Sequence, residues 1–362
     1  MDFKEPSPLD GNFPLKVPLP GKPSARDVAK LAGVSQTTVS RVLNSVPSNY
    51  ISEKTRQRVL QVASELGYSP NPIAQALRGK QSHLLGLIVR EIGDPFFAKF
   101  IAQFSTQARG LGYHIVLGHA ESDPEKALEM SEVLDTRHTD GVFILGDLHG
   151  DENALVKMLQ HNRAIIALCR GPSPASVCTI NSDSRDGIKM LMEHLTGLGH
   201  RKFGFVDGGW LGDIRERKEA FLEFVRQSGL PLEPGWVQSD VNSAEGGYKA
   251  AWRILSSRNR PTALFASDDV MAIGVIKAVY DAGYRVPEDI SVVGFDNIEF
   301  TQYLNPGLTT IRQPVEAMCS QALQLMLHLI ENPDTNLPQT VFRLAPELVI
   351  RDSTGPAPQP LQ

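Results

Sequence analysis

Cysteine is scarce: the 362 residues contain only Cys169, Cys178 and Cys319. An odd number without paired metal-ligand spacing excludes a disulfide framework and supplies no zinc site, so all three are expected to be reduced and mostly buried. Long apolar runs are also missing. Nowhere do about 18 apolar residues follow one another, the length a membrane-spanning helix requires. The first twenty residues, MDFKEPSPLDGNFPLKVPLP, hold several prolines and no apolar core of signal-peptide length, which predicts a cytoplasmic protein. Catalytic signatures are absent as well. There is no Gly-x-Ser-x-Gly and no P-loop, and the nine histidines are scattered without a partner constellation. Neither an enzyme nor a bound cofactor or metal is implied.

What is present is an ordinary folded composition, 41% hydrophobic and 21% charged, on a chain long enough for two or three domains. The net charge of -5 conceals an asymmetry. Residues 22–80 carry nine Lys and Arg against three Asp and Glu, a net +6, whereas residues 81–362 carry 25 against 35, a net -10. A small basic module on a larger acidic one fits a phosphate-binding head joined to a separately folded body.

Within the head, Ser24-Ala25-Arg26-Asp27 has the form of a capping box, so a helix begins at Ala25. Val28, Leu31 and Ala32 recur at helical spacing, and Gly33 supplies the permissive backbone of a tight turn. Ser35 can cap a second helix running from Gln36 to about Asn44. That helix turns Val39, Val42 and Leu43 inward and leaves Gln36, Thr37, Ser40 and Arg41 facing away. Two such helices need a third to close a core. Ser52 to Leu66 provides it, with Val59, Val62, Ala63 and Leu66 in one stripe and Gly67 at the C-terminal cap.

The run Asp27-Val28-Ala29-Lys30-Leu31-Ala32-Gly33-Val34-Ser35, followed by Thr38-Val39-Ser40-Arg41-Val42-Leu43-Asn44, resembles the DNA-binding signature of the lactose-repressor (LacI/GalR-type) family of bacterial transcriptional regulators. The resemblance implies that helix 36–44 is the recognition helix. Gln36, Thr37 and Arg41 then stand at base-reading positions, and Ser35, Ser40 and Asn44 are further DNA contacts. The chemistry agrees, because Arg can grip guanine O6 and N7 in a bidentate fork and Gln can pair with adenine. The loop Ser45 to Ile51 is about two residues longer than is usual for the family.

Residues 68–81 read as a turn and then a short helix, with Asn71 as cap and Pro72 at its first position. The stretch resembles the family's hinge helix, which implies that Ala74, Leu77 and Arg78 meet the minor groove, with Leu77 as an apolar wedge. Ile73 and Leu77, four apart, also have the spacing of a core stripe. Arg78 and Lys80 beside them favour the wedge.

From Leu84 onward, apolar runs alternate with amphipathic stretches: 84–89, 114–117, 141–145 and 164–168, then a second set at 202–206, 263–266 and 291–295. Buried parallel strands with helical crossovers produce this rhythm. Two sets imply two lobes, with ligand chemistry at the carboxyl ends of the strands between them. Asp94-Pro95-Phe96-Phe97, Gly199-His200-Arg201, Ser267-Asp268 and Val293-Gly294-Phe295-Asp296 resemble landmarks of the same family's sensor domain. The implied fold class is an all-α helix-turn-helix head with a hinge helix, joined to an α/β two-lobed sensor like periplasmic binding proteins.

By the resemblance, Arg217 is the ligand-gripping arginine and Asp296 its acidic partner, while Asp94, Asn242 and Ser267 face the cleft and Phe96 and Phe97 offer apolar faces to a sugar ring. Arg215 reads as a surface charge. Arg90 and the pair Cys169-Arg170 depart from the family's usual residues, and two arginines reaching the cleft would favour a sugar acid or a phosphate.

The expected organisation is an extension at 1–21, the head at 22–67, the hinge at 68–81, the sensor and dimerisation domain at 82–352 and a flexible tail at 353–362. Lobe 1 takes about 82–181 and 311–340, and lobe 2 about 182–310 and 341–352. The expected partners are operator DNA, a small-molecule effector of sugar type and a second copy of the chain, with no membrane. The Pro-rich tail has no leucine heptads, so a homodimer is expected. A sugar-uptake binding protein would share the two-lobed body but would have no use for the basic head.

Overall fold

The computed structural model describes residues 23–43, 51–68, 81–135, 138–147, 157–158, 164–170, 177–209, 212–332, 335 and 341–359. Asn44, the hinge residues Ala74, Leu77 and Arg78, and the extension 1–21 lie outside the described residues. The chain divides into two compact units, 1–80 and 81–362.

In the first unit, α1 (Ala25–Ala32), α2 (Gln36–Leu43) and α3 (Glu53–Glu65) enclose a core of Val28, Ala29, Ala32, Val39, Val42, Val59 and Ala63. The α1 start follows the sequence: Asp27 Oδ2 accepts from the Ser24 amide at 2.9 Å and from its hydroxyl at 2.6 Å. Gly33 takes φ +68 and lets the chain turn sharply into α2. Ser52 Oγ caps α3 through the Thr55 amide at 3.2 Å. Leu31, expected inside, is exposed. The buried face of α1 is centred on Val28, Ala29 and Ala32, and Leu31 lies roughly 100° of arc away from it.

The second unit contains two parallel sheets. One has the order β11-β5-β4-β3-β1-β2, built from β1 (Leu84–Val89), β2 (His114–His119), β3 (Gly141–Leu145), β4 (Ile165–Leu168), β5 (Cys178–Ser182) and β11 (Val341–Leu344). Helices α4 (Pro95–Gly110), α5 (Pro124–Val133) and α10 (Val315–Glu331) belong to this lobe. The other sheet has the order β7-β6-β8-β9, built from β6 (Phe203–Asp207), β7 (Val237–Ser239), β8 (Ala263–Ala266) and β9 (Ser291–Val293). It carries α6 (Ser184–Gly197), α7 (Gly212–Gln227), α8 (Ala244–Leu255) and α9 (Asp269–Asp281). The central strands are buried on both faces, which explains their nearly continuous apolar sequence. A short antiparallel pair, β10 (Thr310–Arg312) with β12 (Glu347–Val349), adjoins them.

The chain passes between lobes after β5, after β10 and between β11 and β12. Two expected boundaries need correction. Residues 341–344, assigned above to lobe 2, pair in parallel with Thr179–Ser182 and form the edge of the lobe 1 sheet. The tail from 353 is not loose through residue 357. Ser353 is fully buried, and its Oγ donates to the Val292 carbonyl at 2.6 Å and accepts from the Thr309 amide at 2.8 Å. Its carbonyl accepts from the Val292 amide at 2.9 Å, and the Ala357 amide donates to Leu198 O at 2.9 Å. The cause is the exposed rim of β9, an edge strand whose backbone groups need partners that the tail provides.

Helices α8 and α9 touch through glycine. A Cβ at Gly274 would meet the Ala244 carbonyl and the Tyr248 amide, and one at Gly247 would meet the backbone of Met271. Backbone atoms cannot swing aside, so Gly274→Ala is expected to destabilise by at least the ~1–3 kcal/mol typical of overpacking. Calorimetry should register a fall of several degrees in Tm; an unchanged Tm would mean that the two helices can separate freely.

Candidate functional site

On the first unit, burial of Val39 and Val42 fixes the rotation of α2 and turns Gln36, Thr37 and Arg41 outward as exposed side chains, with Ser40 half-buried beside them. Ser35 is exposed, but its Oγ already accepts from the Thr38 amide at 3.0 Å, so it starts the helix whatever else it touches. This outward face holds a guanidinium, an amide and hydroxyls. Those groups can read base edges and hold phosphate oxygens.

The second unit has a cavity of about 820 Å³ between its lobes, lined among others by Arg90, Glu91 and Asp94 on one side and Gly208, Asn242 and Val270 on the other. The volume suits a small molecule. Asp94 caps α4, with Oδ1 accepting from the Phe96 amide at 2.9 Å and Oδ2 lying 3.6 Å from Arg90 Nη2. Burial pushes its pKa up. Arg90 is held in turn over the ring of Phe97, 4.8 Å from the centroid.

Arg217 lies deeper. It is 2% exposed on α7 and donates from Nη1 to the Ser267 carbonyl at 2.6 Å. Its Nη2 stands 3.2 Å from Asp213 Oδ2 and 3.4 Å from Asp296 Oδ1, and its guanidinium covers the Phe295 ring at 3.9 Å. The carboxylates outweigh burial and hold its pKa above the ordinary arginine value. Asp296 also accepts from Gln313 Nε2 at 2.6 Å. Burial pushes its pKa well up while Arg217 works against that. Asp296 takes φ +115, a strained conformation for an L-residue that its fixed surroundings impose.

The structure therefore brings Asp94, Arg217, Asn242 and Asp296 to the inter-lobe region. Arg170 is buried there, its backbone tied to the Asn181 side chain next to β5. Ser267 is fully buried, and its hydroxyl accepts from the Gly208 amide at 3.1 Å and faces Met271 Sδ at 3.3 Å, so it shapes the wall. Phe96 and Phe97 turn into the lobe 1 core and pack with Phe100, leaving the cavity lining to Arg90, Asp94 and Pro95. Arg215 is exposed, as expected.

Neither Asp213 nor Asp268 is among the ligand residues expected from the sequence, although Ser267-Asp268 is one of the family landmarks. The four-residue spacing of Asp213 and Arg217 was the available signal, and it looks identical to an ordinary surface pair on a helix. Asp268 caps α9 through the Met271 amide at 2.8 Å, and burial raises its pKa to about 6.

A helix-turn-helix unit with an open polar face, and a two-lobed α/β body with a polar cavity between its lobes, define a DNA-binding regulator with a body like that of ligand-binding proteins. Residues 24–71 match the model for bacterial regulatory proteins of the lacI family, and residues 192–354 match that for a periplasmic binding protein-like domain. The HTH-type transcriptional repressor PurR of Mannheimia succiniciproducens is 32% identical over 91% of this chain and 97% of its own length. Among solved structures, the lac repressor dimer bound to operator and the anti-inducer ONPF superposes with a TM-score of 0.83, at 28% identity, over 92% of this chain and 99% of that one. The complex of the transcriptional regulator CelR with cellobiose gives 0.65, at 26% identity, over 91% and 99%. The chain belongs to the lacI family of bacterial regulatory proteins.

Proposed function

We propose that this protein is a repressor that binds a palindromic operator as a homodimer and is controlled by a sugar or sugar derivative in the inter-lobe cavity. The observation that carries the reading is the exposed face of α2, where Gln36, Thr37 and Arg41 project side by side from a helix anchored by Val39 and Val42. With Ser35, Ser40 and Asn44 they would meet the major groove, and Ala74, Leu77 and Arg78 the minor groove. In the cavity, Asp94, Arg170, Arg217, Asn242 and Asp296 would hold the effector. Carboxylates and amide oxygens suit hydroxyl groups, and the cellobiose complex of a relative by fold supports a carbohydrate.

A ligand that closes the lobes shifts the DNA-binding equilibrium only by its differential affinity for the two states. The test is selection of binding sites from random duplex DNA by the full-length protein at a stated salt concentration. A palindrome with half-sites about one helical turn apart is expected. Recovery of no common sequence would refute sequence-specific recognition, and a single non-repeated site would refute the dimer.

A further inference from the structure

Asn242 in the cavity lining, and Asp213 and Asp268 behind that lining, hold buried acceptors that the neighbouring donors leave unsatisfied. Asp268 is 5% exposed; Oδ1 caps α9, while Oδ2 is buried without a donor. Among the described residues no ion pair within 4.0 Å involves Asp268, whereas Arg90 faces Asp94 and Arg217 faces Asp213 and Asp296. Asp213 Oδ1 and Asn242 Oδ1 are likewise buried without a donor, and Arg217 Nε is buried without an acceptor. Asn242 and Val270 line the cavity on the lobe 2 side, and Asp94 and Arg90 line it on the lobe 1 side. Asp94, Arg90 and Arg217 are the charged groups that act most strongly on Asp268.

We propose that the effector presents a protonated amine to Asp268, while Asp213 and Asn242 accept further donors from the same molecule and Arg217 Nε donates to one of its oxygens. The ligand class is an amino sugar or a comparable amine-bearing polyol. This rests on reading the cavity as the effector site. A hydroxyl would complete the hydrogen bond to Oδ2 and still leave a buried carboxylate charge beside the occupied cavity. An ammonium group completes the bond and neutralises the charge. The expectation of a sugar acid or phosphate, drawn from Arg90 and Arg170, loses its main support, because Arg90 is already engaged by Asp94 and the Phe97 ring. A further anion would face Asp94, Asp213, Asp268 and Asp296.

The full-length protein and its Asp268→Asn variant test this in two ways. Asparagine keeps the α9 cap and removes the unpaired charge. Without ligand, at pH 8, the variant is expected to melt about 3–6 °C higher than the parent, given the usual size of such shifts for domains of this length. An equal or lower Tm would overturn the proposal. Glucosamine, glucose and glucuronate then serve as matched probes in thermal-shift titrations at pH 7. Glucosamine is expected to stabilise the parent at concentrations at least about tenfold lower than glucose, the factor of a modest charge-assisted contact, and the preference should vanish in Asp268→Asn. No preference, or a preference for glucuronate, would overturn it. Operator affinity is measured alongside. If glucuronate changes it and glucosamine does not, the effector-site reading stands and the amine falls.

Discussion

Arg41→Ala is expected to lower operator affinity by about 30-fold to 20,000-fold while leaving the melting curve unchanged. The size follows from the chemistry of the contact: a bidentate arginine–guanine pair contributes about 1–3 kcal/mol of discrimination, and a dimer makes it once in each half-site. The selectivity follows from the structure. Arg41 is exposed on α2, and the helix is held by Val39 and Val42, so truncation removes nothing that supports the fold. Fluorescence anisotropy with the selected operator and with scrambled duplex, at two salt concentrations, separates the alternatives. A loss confined to the operator identifies base reading. An equal loss on both duplexes would identify Arg41 as a phosphate contact and sink the assignment.

Arg217→Ala is expected to have the larger effect on the body. The wild-type side chain neutralises Asp213 and Asp296 in a buried setting, and it stacks on Phe295. Removing it leaves the buried Asp296 and the half-buried Asp213 without their cation, and breaking a buried pair typically costs about 3–5 kcal/mol. The defect should depend on pH with a definite sign. Burial already raises the pKa of Asp296 above its unfolded value, and loss of Arg217 raises it further. The folded variant therefore holds its proton more tightly than the unfolded chain, and it is destabilised as pH rises through the interval between the two pKa values. Stability should recover on acidification. Adding Asp296→Asn to Arg217→Ala should restore much of the loss at neutral pH, and Arg217→Lys should not substitute fully because one ammonium cannot reproduce the planar fork. Chemical denaturation across pH checks all three expectations. A pH-independent loss would show that packing against Phe295, and not charge, is what Arg217 contributes.

The parts of the fold that were legible in the sequence are those set by local chemistry or by complete burial. The Ser24–Asp27 box, the Gly33 turn and the α2 core positions depend on neighbours a few residues apart. Strands β1, β3, β4, β6 and β8 are buried on both faces and spell continuous apolar runs. Strand β5 escaped notice because Thr179 and Asn181 stand in it; Asn181 engages the Arg170 backbone, a contact that no periodicity announces. Strands β10, β11 and β12 are short and partly exposed, and their pairing is decided by residues far away in the chain. At the site, Phe96 and Phe97 illustrate the ambiguity of an aromatic pair at a helix start. With Phe100 and Phe104 they form one buried stripe, a spacing that points to the core once α4 is known to begin at Pro95. Asp268 shows the opposite case, since a satisfied helix cap and a cap with a spare buried acceptor look alike in sequence, and only the structure leaves its second oxygen without a donor.

The passage of the chain back and forth between the lobes bears on how the protein is made. The lobe 1 sheet lacks its edge until residues 341–344 arrive, and the lobe 2 rim is not closed until residues 353–357 reach β9. Lobe 1 cannot be finished before residue 344 is synthesised nor lobe 2 before residue 355, whereas α1, α2 and α3 have their own core within residues 23–68. During translation, at about 5–20 residues per second, the first unit can therefore be folded for many seconds before the second is complete. A chain cut before residue 341 would lack the edge strand of lobe 1 and the rim contacts of lobe 2 at once and would still hold the folded α1, α2 and α3.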